Sequence, residues 1–168
     1  MTRFLIYLFP AIFDTVLTCA MLTSGMRIAA SGASATATTA VTATWAMTYT
    51  VASLLIGRWV TPHNASWMLI AGAGVAIVAS VGFIVLPFLL FVYVFMGVLS
   101  VGCALFFTPF QVFMKAIEQG HKSGSVLRST ALYILSWSSG AAAGPFIAAM
   151  VWSLTGAWQW GYGCSGVL

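Results

Sequence analysis

Asp14 is the residue with the clearest chemical potential in this sequence, because it is the only acid inside a long apolar segment. On insertion scales, an aspartate at the centre of a membrane helix costs about 2.5–3.5 kcal/mol, so some interaction must offset that cost. One interpretation is a carboxylate that binds a proton, a cation or a ligand in a central cavity. The alternative is a packing residue that accepts a hydrogen bond from Thr or Ser of a neighbouring helix.

Tyr49 and Gln111 are two further polar side chains in or near apolar segments. Both can donate and accept hydrogen bonds, which suits residues that line the path of a solute. Polar residues of apolar helices also commonly pair with each other across helices. We therefore predict that Asp14, Tyr49 and Gln111 bind a substrate or a coupling ion, with cross-helix pairing as the alternative for the last two.

Nothing in the sequence is typical of a catalytic or metal site. It has no nucleophile beside a base, no phosphate-binding loop and no pair of acids. His63 and His121 fall in polar stretches, but a closed metal site generally needs about four ligands. Cys19, Cys103 and Cys164 lie singly in apolar stretches, without the spacing of a metal site or a disulfide framework. We predict a protein without enzymatic activity, cofactor or metal.

The composition predicts an all-α integral membrane protein. Of the 168 residues, 61% are hydrophobic and 5% are charged, and the mean hydropathy is +1.04. Such a chain has too few polar side chains to cover a soluble globule. The net charge of +4 comes from six basic and two acidic residues. It therefore indicates membrane topology rather than a surface that binds nucleic acid.

Apolar segments predict five full transmembrane helices and a partial sixth, in a single bundle over residues 1–168. At about 1.5 Å per residue, roughly 20 residues cross a hydrocarbon core of about 30 Å. The first segment exceeds the apolar core of a signal peptide, which is typically about 7–15 residues. The last segment reaches only about half way across. The predicted spans are residues 4–26, 38–56, 67–86, 88–114 and 128–152, and the partial span is 158–168.

The basic residues predict a plasma (inner) membrane protein with a cytoplasmic N-terminus. In this orientation five of the six basic residues face the cytoplasm, and only Arg27 lies outside, in a loop predicted at 27–37. The polar stretch 115–127 is predicted to be a solvated cytoplasmic loop, with a gate as the alternative. The basic residues predicted on the inner side are Arg3, Arg58, Lys115, Lys122 and Arg128. Glu118 belongs to the polar loop. The aromatic residues expected at the outer interface are Trp152, Trp158, Trp160 and Tyr162.

The fifth predicted span contains the most distinctive pattern of small residues. Gly140 and Gly144 share one helix face, so a neighbouring helix backbone can approach that face closely. Pro145 removes one backbone donor and bends the helix. We predict a packing and pivot element, with a generic packing face as the alternative. The expected partner is span one or span two, and the small residues of span two are Ala40, Ala43 and Ala46.

The order of these features resembles the N-terminal half of a major facilitator superfamily transporter. Gly57 and Arg58 open a short basic connection after span two, and a longer polar loop separates spans four and five. The fifth span is similar to the family's G-x-x-x-G-P-x-x-G-G motif, and the tail from Gly156 to Tyr162 resembles the family's entry to helix six. The residues matching the motif are Gly140, Gly144, Pro145, Ala148 and Ala149.

The resemblance implies a six-helix bundle, truncated in helix six, that transports a small solute coupled to a proton or a cation. It implies a second six-helix half or another copy as partner, besides the lipid bilayer, and no nucleic acid. Gly57 and Arg58 would belong to the gate loop at the inner face, and Gly140, Gly144 and Pro145 to the pivot.

The sequence departs from the family's pattern in two places. The connection after span two lacks the family's charged residues, and Val98 stands where proton-coupled members often carry an arginine, four residues before a glycine. The resemblance therefore implies neither the inner-face charge relay nor proton antiport through helix four. The departing residues of the connection are Thr61, Pro62, Asn64 and Ala65.

A second class of function is compatible with the same sequence. The incomplete sixth span and the altered gate loop also suit a small non-transporting membrane protein that serves as an assembly or regulatory subunit. Its glycine-lined helices would then pack against a larger complex.

Overall fold

The computed structural model describes residues 6–118 and 125–167, and these residues fold into six α-helices without a strand. Five of the helices are long and apolar enough to cross a membrane, and the sixth is short, as the sequence predicts. Arg3, His121 and Lys122 lie outside the described residues. The helices are α1 (Leu8–Ala30), α2 (Ala35–Gly57), α3 (Ala65–Val85), α4 (Leu89–Glu118), α5 (Ser125–Thr155) and α6 (Trp158–Val167).

The prediction of a loop at residues 27–37 is wrong over most of that range, because α1 continues to Ala30 and α2 begins at Ala35. The helix can retain Arg27 because the side chain is buried against distant parts of the chain. The true connection is short: Gly32 adopts a positive φ of 78°, and the Ser34 hydroxyl accepts a hydrogen bond from the backbone N–H of Ala37 at 3.3 Å. These are ordinary turn and helix-capping features.

Most helices pack against partners that are distant in the chain. The most extensive pairings join α1 to α5, α4 to α3, and α4 to α2, while α6 packs against α1 and α3. Among the five spanning helices, α1 is the most buried and α2 the least. The centre of the bundle is therefore built by α1 and α4, and much of α2 and α5 faces outward.

Close backbone contact joins α3 to α4 at a pair of glycines. A Cβ atom on Gly72 would lie 2.9 Å from the carbonyl oxygen of Gly102, and one on Gly102 would lie 3.1 Å from the carbonyl oxygen of Gly72. Such distances leave no room for a side chain. Small residues let apolar helices gain dispersion contact without steric overlap, so this glycine pair explains the tight α3–α4 pairing.

A column of aromatic rings links the central helices. Phe13 of α1 stacks on Phe106 of α4 with ring centroids 4.2 Å apart, and Phe106 stacks on Phe110 at 5.6 Å. Phe110 in turn stacks on Tyr133 of α5 at 5.5 Å. The column fixes α1, α4 and α5 at one level of the bundle.

Tyr162, one of the aromatic residues predicted at the outer interface, faces the protein core rather than the outer surface of the bundle. Its ring is fully buried and stacks on Phe83 of α3 with centroids 4.4 Å apart. Its hydroxyl group lies 2.8 Å from the Ser24 hydroxyl of α1, which satisfies both polar groups. The short helix α6 is thus anchored in the core by Tyr162, whereas Trp160 is 62% exposed.

Candidate functional site

Asp14 lies in the middle of α1 and is 2% exposed. The threonine hydroxyls beside it donate to backbone carbonyls of their own helix, from Thr15 to Ala11 and from Thr18 to Asp14, each at 2.7 Å. One carboxylate oxygen, Oδ2, is buried without a hydrogen-bond partner. A buried polar group in this state carries an uncompensated desolvation cost. The carboxylate therefore retains capacity for a ligand or a proton.

Aromatic side chains from two further helices lie near this carboxylate. The Trp137 side chain of α5 approaches it within reach of a hydrogen bond. Tyr49 of α2 and Tyr133 of α5 lie in the same region, within electrostatic range of Asp14. Trp45 stacks on Tyr49 with ring centroids 5.4 Å apart. The structure thus brings α1, α2 and α5 together at one buried charge.

Gln111 joins the same site through Tyr133. Its side chain lies within hydrogen-bonding reach of the Tyr133 hydroxyl, which places α4 beside the other three helices. The three residues predicted from the sequence therefore belong to one polar group. We call this group the Asp14 cluster, and it consists of Asp14, Trp45, Tyr49, Gln111, Tyr133 and Trp137.

The side chains of the Asp14 cluster differ in solvent exposure, from buried at Asp14 to exposed at the periphery. Asp14 is buried, Tyr49 and Tyr133 are half-buried, and Gln111 and Trp137 are exposed. A solute that reaches the exposed side chains would thus meet hydrogen-bonding groups first and the carboxylate behind them. This order suits a site in which polar contacts orient the solute and the charge holds a cation.

No basic side chain stands beside Asp14 in the part of the chain that the structure describes. Arg27 lies on the same helix as Asp14. Because an α-helix rises about 1.5 Å per residue, the two residues are about 20 Å apart along the helix axis. Arg58, Lys115 and Arg128 lie at or near the ends of α2, α4 and α5. Protonation or a bound cation would each remove the cost of an ionised Asp14 at this position.

The glycine pair of α5 packs directly against the helix that carries Asp14. A Cβ atom on Gly144 would lie 2.6 Å from the carbonyl oxygen of Thr15, and one on Gly140 would lie 3.0 Å from the Asp14 Cβ atom. The nearest atoms to both glycines belong to α1, which confirms span one among the two predicted partners, and Ala40, Ala43 and Ala46 of span two are not among those atoms.

Further contacts hold α5 and α1 in register. The Thr18 hydroxyl also lies 3.3 Å from the carbonyl oxygen of Gly140, and the Ser136 hydroxyl donates to the carbonyl oxygen of Tyr7. Helix α5 runs without interruption through Pro145. The contact of Gly140 and Gly144 with α1 therefore positions the Asp14 carboxylate opposite Trp137, which lies one helical turn before Gly140.

The predicted gate residues Gly57 and Arg58 lie where α2 ends. Both are exposed, and a Cβ atom on Gly57 would meet only a methyl group of Thr108, at 3.9 Å. The connection to α3 is held instead by Asn64, whose side chain accepts from the Thr61 backbone N–H at 2.8 Å and donates to the Trp59 carbonyl at 2.7 Å. These neutral hydrogen bonds shape the connection.

The described residues contain no group of three or more His, Cys, Asp or Glu side chains placed to hold a metal ion. No protein-family model matches this chain, and no curated protein or solved structure matches it either. The class that its fold and site define is an all-helical bundle of membrane-spanning type with a buried carboxylate near its centre.

Proposed function

We propose that this chain transports a small solute across a membrane, as one six-helix bundle of a secondary transporter of the major facilitator type. The observation that carries the proposal is the Asp14 carboxylate, which has a buried oxygen without a hydrogen-bond partner and lies behind the partly exposed side chains of the Asp14 cluster. Intramembrane acids are costly, and sites of ion or substrate binding are where proteins retain them.

In this proposal, Asp14 binds the coupling proton or a cation, while Tyr49 and Gln111 form hydrogen bonds with the solute. Binding a cation neutralises the carboxylate, so it lowers the free energy of the occupied state relative to the empty one. Because the contributing side chains come from four helices, a change in the packing of α5 on α1 would alter the geometry of the site. Gly140, Gly144 and Pro145 supply that movable contact.

The outward faces of α2 and α5 support a second bundle as the partner. Both helices present hydroxyl side chains at exposed positions, and much of each helix is uncovered. Paired bundles commonly enclose a solute site at the interface between repeats, near the bilayer midplane. The partner would be a second six-helix half or another copy of this chain. The exposed hydroxyl residues include Thr42, Thr50, Ser138 and Ser139.

The proposal includes an orientation with the N-terminus in the cytoplasm of a cell with an inner membrane. Single cysteines at Ala33 and His63 should then react with an impermeant thiol reagent from opposite sides, Ala33 from outside and His63 only after the membrane is opened. The background protein needs Cys164 replaced, since Cys19 and Cys103 are buried. Reversed accessibility at both positions would contradict the orientation. Lys122, the other residue suited to this test, lies outside the described residues.

A thermal-stability screen tests transport against the assembly-subunit alternative. Purified protein is heated with a panel of amines, sugars, amino acids and organic acids. A transporter should show at least one solute that raises the melting temperature by about 3 °C, and Asp14→Asn should remove that response. Absence of any response, together with stoichiometric co-purification of a larger complex in mild detergent, would instead favour an assembly or regulatory subunit.

A further inference from the structure

Arg27 is a buried cation at the end of the bundle opposite the connection between α2 and α3. It lies in the last turn of α1 and is 5% exposed. Two other parts of the chain meet it there: the connection between α3 and α4, at Pro87, and the start of α6, at Trp158. Arg27 therefore sits where three elements converge at one end of the bundle.

The guanidinium group of Arg27 is only partly satisfied. Its Nη2 atom donates to the carbonyl oxygen of Pro87, and its Cζ atom lies 3.8 Å above the centre of the Trp158 ring. Tyr162 is within reach of the guanidinium, and its hydroxyl already pairs with Ser24 at 2.8 Å. The Nη1 atom is buried and has no hydrogen-bond partner.

Within residues 6–118 and 125–167, no acid lies beside Arg27. The sequence has two acids, Asp14 and Glu118. Asp14 lies about 20 Å away along α1 at about 1.5 Å per residue. Glu118 is the last residue of α4, and the first residue of α4, Leu89, lies close to Pro87 and therefore to Arg27. The length of the helix thus places Glu118 about 40 Å from Arg27. An arginine remains charged, and a buried charge without a counter-ion is strongly unfavourable, so an anion bound beside Arg27 would stabilise this end of the bundle.

We propose that Arg27 forms a binding site for a phosphate group at this end of the bundle. The planar guanidinium matches phosphate oxygens in geometry as well as charge, and Nη1 is the donor left for that purpose. The site lies at the ends of α1 and α3, the level at which phospholipid headgroups lie. The phosphate belongs either to a phospholipid or to a soluble phosphate compound, and the recognising chemistry is the same.

Access to Nη1 requires a shift of surface side chains, because the atom is covered in this structure. Phe88, next to Pro87, is 67% exposed, and Trp158 begins the short helix α6. Neither residue takes part in the close contacts of Gly140 and Gly144 with α1. This site is independent of solute transport, since its residues do not belong to the Asp14 cluster.

The test measures the melting temperature of the delipidated chain in detergent. Phosphatidylglycerol is compared with a galactosyl diacylglycerol, which lacks phosphate, and sodium phosphate with sodium chloride at equal ionic strength. We expect a phosphate-bearing additive to raise the melting temperature by about 5 °C. Arg27→Gln should remove this rise. The control Arg58→Gln, which changes an exposed arginine at the end of α2, should keep it.

The two comparisons identify the source of the phosphate. A higher melting temperature with phosphatidylglycerol but not with sodium phosphate indicates a lipid headgroup. A higher melting temperature with sodium phosphate as well as phosphatidylglycerol indicates a soluble phosphate compound. Equal rises in wild type and Arg27→Gln, or equal effects of the two lipids, would overturn the proposal. If Arg27→Gln does not fold, native mass spectrometry of the wild type decides: one retained phospholipid, not displaced by the galactolipid, supports the site, and no retained phosphate compound refutes it.

Discussion

Replacing Gly144 with leucine is expected to prevent accumulation of the folded protein. A Cβ atom at this position would already lie 2.6 Å from the Thr15 carbonyl oxygen and 2.8 Å from the Cys19 backbone nitrogen, and neither backbone atom can move without displacing α1. Overpacking in tight interiors typically costs about 1–3 kcal/mol, and rigid backbone neighbours place this site at the upper end. Size-exclusion chromatography of a fluorescent fusion would show loss of the monodisperse peak.

The matched control is Gly74→Leu in α3. Gly74 is also a glycine within a spanning helix, but a Cβ atom there meets nothing within 4 Å. The control should therefore retain the monodisperse peak, since leucine is well tolerated where an apolar helix is uncovered. Similar losses in both variants would show that helix insertion, rather than α1–α5 packing, limits accumulation. Gly124, in the polar stretch between α4 and α5, lies outside the described residues and gives a weaker comparison.

Asp14→Asn is expected to abolish uptake while leaving the fold intact. The substitution keeps the shape of the side chain and removes the charge, so it removes the cost of burying a carboxylate whose Oδ2 atom has no partner. We expect an unchanged or higher melting temperature, because functional sites often sacrifice stability. Uptake should fall by about 100-fold or more in proteoliposomes that contain both bundles, consistent with loss of an essential coupling group.

Ser100→Ala is the control for Asp14→Asn. Ser100 is a fully buried polar residue of α4, and its hydroxyl donates to the Met96 carbonyl of its own helix at 2.7 Å. Its removal should cost about 1 kcal/mol of stability and leave uptake unchanged. If Asp14→Asn retained full uptake, Asp14 would be a packing residue, and the transport proposal would lose the observation on which it rests.

The positions of the helices could be predicted from the sequence to within a few residues. Long apolar runs bounded by polar or turn residues are required by the thickness of a bilayer, so span lengths follow from local composition. The largest error concerned Arg27. Its charge indicates a loop when only neighbouring residues are considered, whereas its stabilising contacts, Pro87 and Trp158, are distant in the sequence.

Helix partners and the full candidate site could not be predicted in the same way. The spacing of Gly140 and Gly144 defines a face for close packing, but it does not specify the helix that covers that face. Likewise, Asp14 is conspicuous because a charge in an apolar segment is rare. Tyr133 and Trp137 look like ordinary apolar-helix residues, and only the packing of α5 on α1 brings them to the carboxylate.

The pairing of α1 with α5 imposes a delay during synthesis of the chain. About 95 residues separate the end of α1 from the start of α5, which corresponds to roughly 5–20 s at about 5–20 residues per second. During that interval the backbone surface that receives Gly144, together with the Asp14 carboxylate, lacks its final neighbour. We expect insertion machinery or a membrane chaperone to cover it, so a photo-crosslinker at Thr15 should capture such a factor in nascent chains that end before α5 and release it once α5 has entered the bilayer.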